Sequence, residues 1–163
     1  MYATNFPKKR YKHTVEFLKQ HIATTESILD LGVENPLSEL LKKEGYKVSN
    51  TSGEDLDVNT KSVETDPSEV VTAFEIFEHL VSPFTVLKNI KAEKLVTSIP
   101  LRLWFATAYR SKTDPRDRHF HEFESWQFDW LLEKAGWKII ASEKWTNPTN
   151  KIGFRPLLRW FTS

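Results

Sequence analysis

Hydrophobic residues follow two alternating patterns along the chain, short continuous runs and longer stretches with helical spacing. The continuous runs predict buried strands at residues 27–32, 46–50, 70–74 and 94–99. Apolar residues three or four positions apart predict helices at residues 9–23, 36–44, 83–90 and 124–134. Most of the chain is therefore expected to alternate between strands and helices.

Two stretches depart from this alternation, and a third continues it at the end of the chain's regular part. Residues 51–69 are polar and acidic and carry no long helical stripe, although a short strand is expected at residues 56–58. Residues 101–123 form a long connection rich in arginine and aromatic residues, and residues 137–145 alternate as a final strand does. The regular pattern is thus expected to be interrupted at the second crossover and again before the last helix.

The alternation of strands and helices predicts the fold class. It is typical of a doubly wound α/β fold, with a mostly parallel sheet and helices on both faces. Ligands of such folds bind at the carboxyl ends of the strands. We therefore expect the chemistry to lie after Leu31, Asn50, Phe74 and Ile99.

Composition narrows the function classes. The 163 residues predict one compact domain, and the formal charge of +1 argues against a nucleic-acid partner. The absence of cysteine excludes disulfides, thiolate zinc sites and cysteine nucleophiles. No run approaches the roughly 20 apolar residues of a membrane span, so we expect no membrane association and a cytoplasmic location.

Several motifs occur in the order found in a known family. They are an acid in the first strand before a turn glycine, a glutamate–histidine pair after a later strand, and a glycine–tryptophan pair after the last helix: Asp30, Gly32, Glu78, His79, Gly136 and Trp137. Together they resemble the class I S-adenosylmethionine-dependent methyltransferases, in particular small bacterial members that act on small molecules. The resemblance covers residues 26–145 and implies a Rossmann-like sheet and methyl transfer from S-adenosylmethionine to a small-molecule acceptor.

The sequence departs from this family's pattern at three places. Glu34 and Pro36 stand where the family has its second and third turn glycines, and Asn50 stands near the usual ribose-binding acid. These departures favour an alternative in which a methyltransferase-like domain has lost catalysis and serves as a binding or interaction module.

The resemblance assigns a cofactor site to six residues: Asp30, Gly32, Asn50, Glu54, Asp55 and Phe74. Each also has a purely structural interpretation. Asp30 is either the cofactor-site acid or a buried acid whose carboxylate is satisfied by the protein. Gly32 suits a turn in either case, Glu54 and Asp55 suit a solvated loop, and Phe74 either stacks on adenine or packs in the core.

Two histidines are the candidates for catalysis. His79 and His121 are predicted to serve the substrate side, since a neutral imidazole accepts a proton near neutral pH. The alternative for His79 is a helix-entry residue bonded to the backbone. His119, His121 and Glu122 are weak evidence for a metal site, and we expect no metal.

The remaining segments complete the predicted single domain. Residues 1–25 are expected to form a helical flank, and residues 101–123 a substrate-side loop or lid. Residues 146–163 offer at most an abbreviated seventh strand. Their apolar residues suit contact with a second copy of the chain, so a homodimer stays open.

Overall fold

The computed structural model describes residues 7–114 and 116–146. Four strands, five α-helices and one 3₁₀ turn follow one another in these ranges. The strands are β1 (Ser27–Asp30), β2 (Lys47–Asn50), β3 (Val70–Phe74) and β4 (Lys94–Ser98). The helices are α1 (Pro7–His21), α2 (Pro36–Lys43), α3 (Lys61–Thr65), α4 (Pro83–Asn89) and α5 (Ser125–Lys134), and the 3₁₀ turn is Phe77–His79.

The four strands form one open parallel sheet in the order β2-β1-β3-β4. The chain runs outward from β1 to β2, then crosses over β1 and continues through β3 to β4. The direction of winding therefore reverses between β1 and β3. In open α/β sheets this reversal creates a crevice at the carboxyl ends of the two strands, where ligands bind.

The helices cover both faces of the sheet. One hydrophobic cluster joins α1 and α2 to the side of β1 that carries Ile28, while the other joins α3, α4 and α5 to the side that carries Leu29. Successive strand residues point to opposite faces, which explains why neighbouring residues of β1 belong to different clusters. The α/β class, the parallel sheet and the helices on both faces are confirmed.

Local sequence signals explain the ends of α2. The Asn35 side chain accepts hydrogen bonds from the backbone N–H groups of Leu37 and Ser38, and Ser38 Oγ accepts from the Asn35 N–H. Pro36 occupies the first turn, where a missing N–H costs nothing. Gly45 follows the helix with φ +94°, a backbone conformation that favours glycine.

The predicted strands at residues 56–58 and 137–145 are wrong. Residues 56–58 form a turn, and the second crossover contains the five-residue helix α3. Residues 137–145 keep the predicted alternation, because Trp137 and Ile139 pack on the core, but they join no strand of the sheet. An alternating pattern forms a strand only where a partner supplies the ladder of hydrogen bonds.

The structure describes the N-terminal end of the predicted domain but not its C-terminal end. The N-terminal helical flank is present as α1, whose Val15, Leu18 and Ile22 are buried. The abbreviated C-terminal segment lies outside the described residues beyond residue 146. Among the helices described, none has the length and apolar character that a membrane span requires.

Candidate functional site

Asp30 lies at the carboxyl end of β1 with only 2% of its surface exposed. Its Oδ1 accepts a hydrogen bond from Thr72 Oγ1 at 2.7 Å. Its Oδ2 accepts from Ser38 Oγ and Asn50 Nδ2, each at 3.1 Å, and from Asn35 Nδ2 at 3.5 Å. Four side chains from β2, β3 and the start of α2 therefore converge on one carboxylate.

Burial shifts the pKa of the Asp30 carboxyl group. Removal from water raises the pKa of Asp30, although the hydrogen bonds from Thr72, Ser38 and Asn50 oppose the change. A raised native-state pKa means that the folded protein holds the proton more tightly than the unfolded chain does. The contribution of Asp30 to stability is therefore greatest in acid and is lost as the pH rises through its native pKa.

We expect the substitution Asp30→Asn to remove this dependence. As the pH rises from about 4 towards 7, the unfolding free energy of the wild type should fall relative to that of the variant. Urea denaturation at a series of pH values measures the difference. A constant difference across the range would show that Asp30 titrates alike in the folded and unfolded states.

Asn50 and Gly32 lie beside Asp30, as the sequence predicts. Asn50 Nδ2 also contacts the Gly32 carbonyl and Ser38 Oγ at 3.3 and 3.2 Å. Gly32 has φ +106°, and its N–H donates to Thr51 Oγ1 at 2.8 Å. Among the described residues, the buried Oδ1 of Asn50 has no hydrogen-bond partner. It is therefore an unused acceptor in the polar cluster at the ends of β1 and β2.

Glu54 and Asp55 lie in the loop that follows β2. Glu54 is half-buried and accepts from Ser52 Oγ at 2.8 Å. Asp55 is exposed and accepts from the Asp57 N–H at 3.0 Å, so its carboxylate stabilises the turn. Asp57 in turn accepts from the N–H groups of residues 81 and 82, each at 2.8 Å, and ties this loop to the start of α4.

Phe74 and Glu75 lie at the carboxyl end of β3. Phe74 is half-buried and packs against the cluster that contains α1 and α2. Glu75 has φ +57°, a left-handed conformation that costs a non-glycine residue free energy. Its carboxylate is held by Arg10 at 3.1 Å and by Ser98 Oγ at 2.9 Å. The strained residue thus directs the chain from β3 into the 3₁₀ turn.

The 3₁₀ turn contains a second buried acid, Glu78, which is 1% exposed. Its side-chain Oε2 is buried and has no hydrogen-bond partner among the described residues. Burial, and after it the negative charge of Glu75, raises the pKa of Glu78 to about 8. An acid in such surroundings is a typical feature of a functional site.

His79 and His119 lie next to Glu78. His79 Nε2 is 3.8 Å from Glu78 Oε1, and the rings of the two histidines meet edge to face with centroids 5.0 Å apart. The backbone carbonyl of Glu78 accepts hydrogen bonds from the N–H groups of Phe120 and His121. These two bonds join the 3₁₀ turn to the long connection, which brings residues 42 and 43 positions apart into contact.

His121 is directed away from this cluster. Its ring stacks on Phe123, and its Nε2 lies 3.3 Å from the Val81 carbonyl. Of the two histidines predicted for catalysis, His79 therefore lies beside the buried acid, whereas His121 faces the start of α4. The residue that joins His79 is His119, which the sequence analysis named with His121 and Glu122 as weak evidence for a metal site.

The long connection at residues 101–123 closes on itself. A bridge joins Leu101 to Phe123 at its base, and a second bridge joins Arg110 to Arg118. Trp104 lies on the surface of this connection and is 68% exposed.

Sequence interpretation missed Ser38, Thr72 and Glu75 as parts of this region. Ser38 carries a recognisable signal, because it is the third residue after the helix-capping Asn35. Glu75 follows directly after a buried strand, where ligand-binding residues of α/β proteins concentrate. Thr72 has no such signal, since its role depends on the pairing of β3 with β1.

Neither a comparison with protein-family models nor one with curated protein sequences gives a significant match for this chain.

Proposed function

We propose that the protein is an S-adenosylmethionine-dependent methyltransferase with a small-molecule acceptor and a Rossmann-like fold. One observation carries the proposal, namely that winding reverses between β1 and β3, whose carboxyl ends carry Asp30 and Phe74. This crevice is the ligand-binding position of open α/β sheets. The order of the family-like motifs along the chain supports the choice of cofactor.

The acceptor atoms at this edge of the sheet suit a nucleoside that carries an ammonium group. The unpartnered Oδ1 of Asn50 suits a ribose hydroxyl, and the Glu54 carboxylate suits the second hydroxyl or the positive charge. Phe74 offers an aromatic surface for adenine, while Asp30 positions Asn50 through the bond between Oδ2 and Nδ2. The role of Asp30 is thus to orient a neighbouring binding residue.

S-adenosylmethionine supplies an activated methyl group, so the protein has to align the acceptor, exclude water and remove a proton where the acceptor carries one. His79 suits the last task, because its Nδ1–H donates to the Arg118 carbonyl at 2.9 Å and leaves Nε2 as the basic nitrogen. The tautomer is assigned from this bond, since a carbonyl oxygen accepts and never donates.

Calorimetric titration with S-adenosylmethionine tests the proposal. We expect saturable binding, and ligand at 100 times Kd should add about 2.7 kcal/mol of stability and raise Tm by about 5–10 °C. Glu54→Gln should weaken binding about tenfold through loss of a charged hydrogen bond. Glu16→Gln, an exposed change on α1, is the matched control and should bind as the wild type does.

A second candidate function is a binding or interaction module without catalysis. It is favoured by the saturated carboxylate of Asp30 and by the contact between the loops after β1 and β2. A Cβ atom at Gly53 would lie 2.7 Å from Val33 Cγ1, so the two loops are in close contact at the carboxyl ends of β1 and β2. Absence of binding at millimolar S-adenosylmethionine, with the protein folded, would favour this candidate.

A further inference from the structure

The cluster around Glu78 contains the ligand types of a transition-metal site. One ligand atom from each of Glu78, His79 and His119 lies within 4.8 Å of the others. Two imidazoles and one carboxylate suit divalent transition metals, and three protein ligands leave a position for water or for an oxygen of a bound molecule. The three residues come from two segments that backbone hydrogen bonds hold together.

The outer hydrogen bonds leave the inner nitrogen of each imidazole available. His79 Nδ1 donates to the Arg118 carbonyl at 2.9 Å, and His119 Nδ1 lies 2.8 Å from Glu122 Oε1. Glu122 Oε1 also accepts from the Tyr109 N–H at 2.9 Å, which holds the carboxylate in place. Bonds of this kind at Nδ1 fix the tautomer in which Nε2 is a lone-pair donor to a metal.

The carboxyl group of Glu78 offers Oε1 to the cluster, 3.8 Å from His79 Nε2, and carries a second oxygen, Oε2. Oε2 of Glu78 has no hydrogen-bond partner among the described residues, although the side chain is almost fully buried. Burial of a carboxyl group with an unpaired oxygen is costly, and a cation bound at Oε1 would offset part of that cost. His79 and His119 are 75% and 89% buried in their side chains (25% and 11% exposed), so the position is sheltered and still reachable from solvent.

We propose that Glu78, His79 and His119 bind a divalent transition-metal ion of the zinc type, with Glu122 as the positioning residue for His119. Zinc bonds of about 2.0–2.2 Å require ligand atoms closer together than in the cluster, so the side chains must move inward by roughly 1 Å. The site departs from the expectation of no metal drawn from the sequence, and it does not depend on S-adenosylmethionine binding. Zinc bound at His79 Nε2 would occupy the lone pair that the proposed methyl transfer uses to remove a proton, so His79 cannot serve both roles at once.

Calorimetric titration of the full chain with zinc chloride alone tests the site. We expect a saturable complex of one ion per chain. His119→Asn and Glu78→Gln should each weaken zinc binding by about 100-fold, whereas the positioning variant Glu122→Gln should weaken it by about 10-fold. His121→Asn is the matched control, since this ring faces the Val81 carbonyl, and its zinc affinity should equal that of the wild type.

Cobalt substitution gives a second readout. The chain has no cysteine, so visible absorption of bound Co²⁺ would report nitrogen and oxygen ligands and should disappear in His79→Asn. Circular dichroism of each variant separates loss of the site from loss of the fold. The proposal is overturned if folded wild type binds no zinc at millimolar concentration, or if His121→Asn loses as much affinity as His119→Asn.

Discussion

Replacing Asp30 with alanine is expected to lower the free energy of unfolding by about 3 kcal/mol, within the range for buried hydrogen bonds to charged or polar groups. The variant removes the acceptor for Thr72, Ser38 and Asn50. Asn50 keeps the Gly32 carbonyl as an acceptor. The buried hydroxyls of Thr72 and Ser38, in contrast, are left to find other partners. The expected loss follows from these unpaired donors, because the deleted side chain itself contributes little apolar area.

Urea denaturation of wild type, Asp30→Ala and Asp30→Asn measures this effect. Asp30→Asn keeps an oxygen acceptor and should lose less stability than Asp30→Ala. Glu133→Ala, an exposed change on α5, controls for the loss of a surface carboxylate and should stay within about 0.5 kcal/mol of the wild type. If Asp30→Ala is as stable as this control, the hydrogen-bond cluster does not stabilise the fold.

The same variants distinguish a role of Asp30 in stability from a role in cofactor binding. Asp30 was predicted as a cofactor-binding acid, and its contacts in the structure are to protein side chains. If Asp30 acts by orienting Asn50, folded Asp30→Asn should bind S-adenosylmethionine more weakly than wild type, and Asn50→Ala should weaken binding by a similar factor. An effect of Asp30→Asn in the absence of any effect of Asn50→Ala would contradict the orienting role.

Replacing Phe77 with alanine is expected to lower the free energy of unfolding by about 3–5 kcal/mol, the usual cost of deleting a buried phenyl ring. Phe77 is fully buried, and its ring lies 6.0 Å from that of Phe128 on α5. The residue anchors the 3₁₀ turn that carries Glu78 and His79 to the core between the sheet and α5. Loss of the ring therefore leaves a cavity directly beneath the candidate site.

Equilibrium denaturation measures the change, and Phe120→Ala is the matched control. Phe120 is 62% exposed, and its link to the 3₁₀ turn runs through its backbone N–H, so its substitution should cost no more than about 0.5 kcal/mol. A cost below about 1 kcal/mol for Phe77→Ala would show that the surrounding side chains collapse into the space and that the ring is not an anchor.

The sequence predicted those parts of the site that depend on position along a strand. Asp30, Gly32, Asn50 and Phe74 were expected at strand ends, and all lie at the carboxyl edge of the sheet. This succeeded because a strand with its closing turn is encoded by a few consecutive residues. The hydrogen bonding of Asp30 was not predictable from the sequence, since the donors that surround its carboxyl group come from β2, β3 and the start of α2.

The sequence by itself determined the four strands of the sheet and the helices α1, α2, α4 and α5, the capping of α2 by Asn35 and Pro36, and the turn at Gly32, because each depends on neighbouring residues. The tertiary structure decided the placement of β3 beside β1, the failure of residues 137–145 to join the sheet, and the approach of His119 to Glu78. Strand pairing, burial and the resulting pKa values depend on contacts between residues far apart in the chain. A local pattern cannot specify such contacts, because they contribute to stability only after folding has brought both segments together.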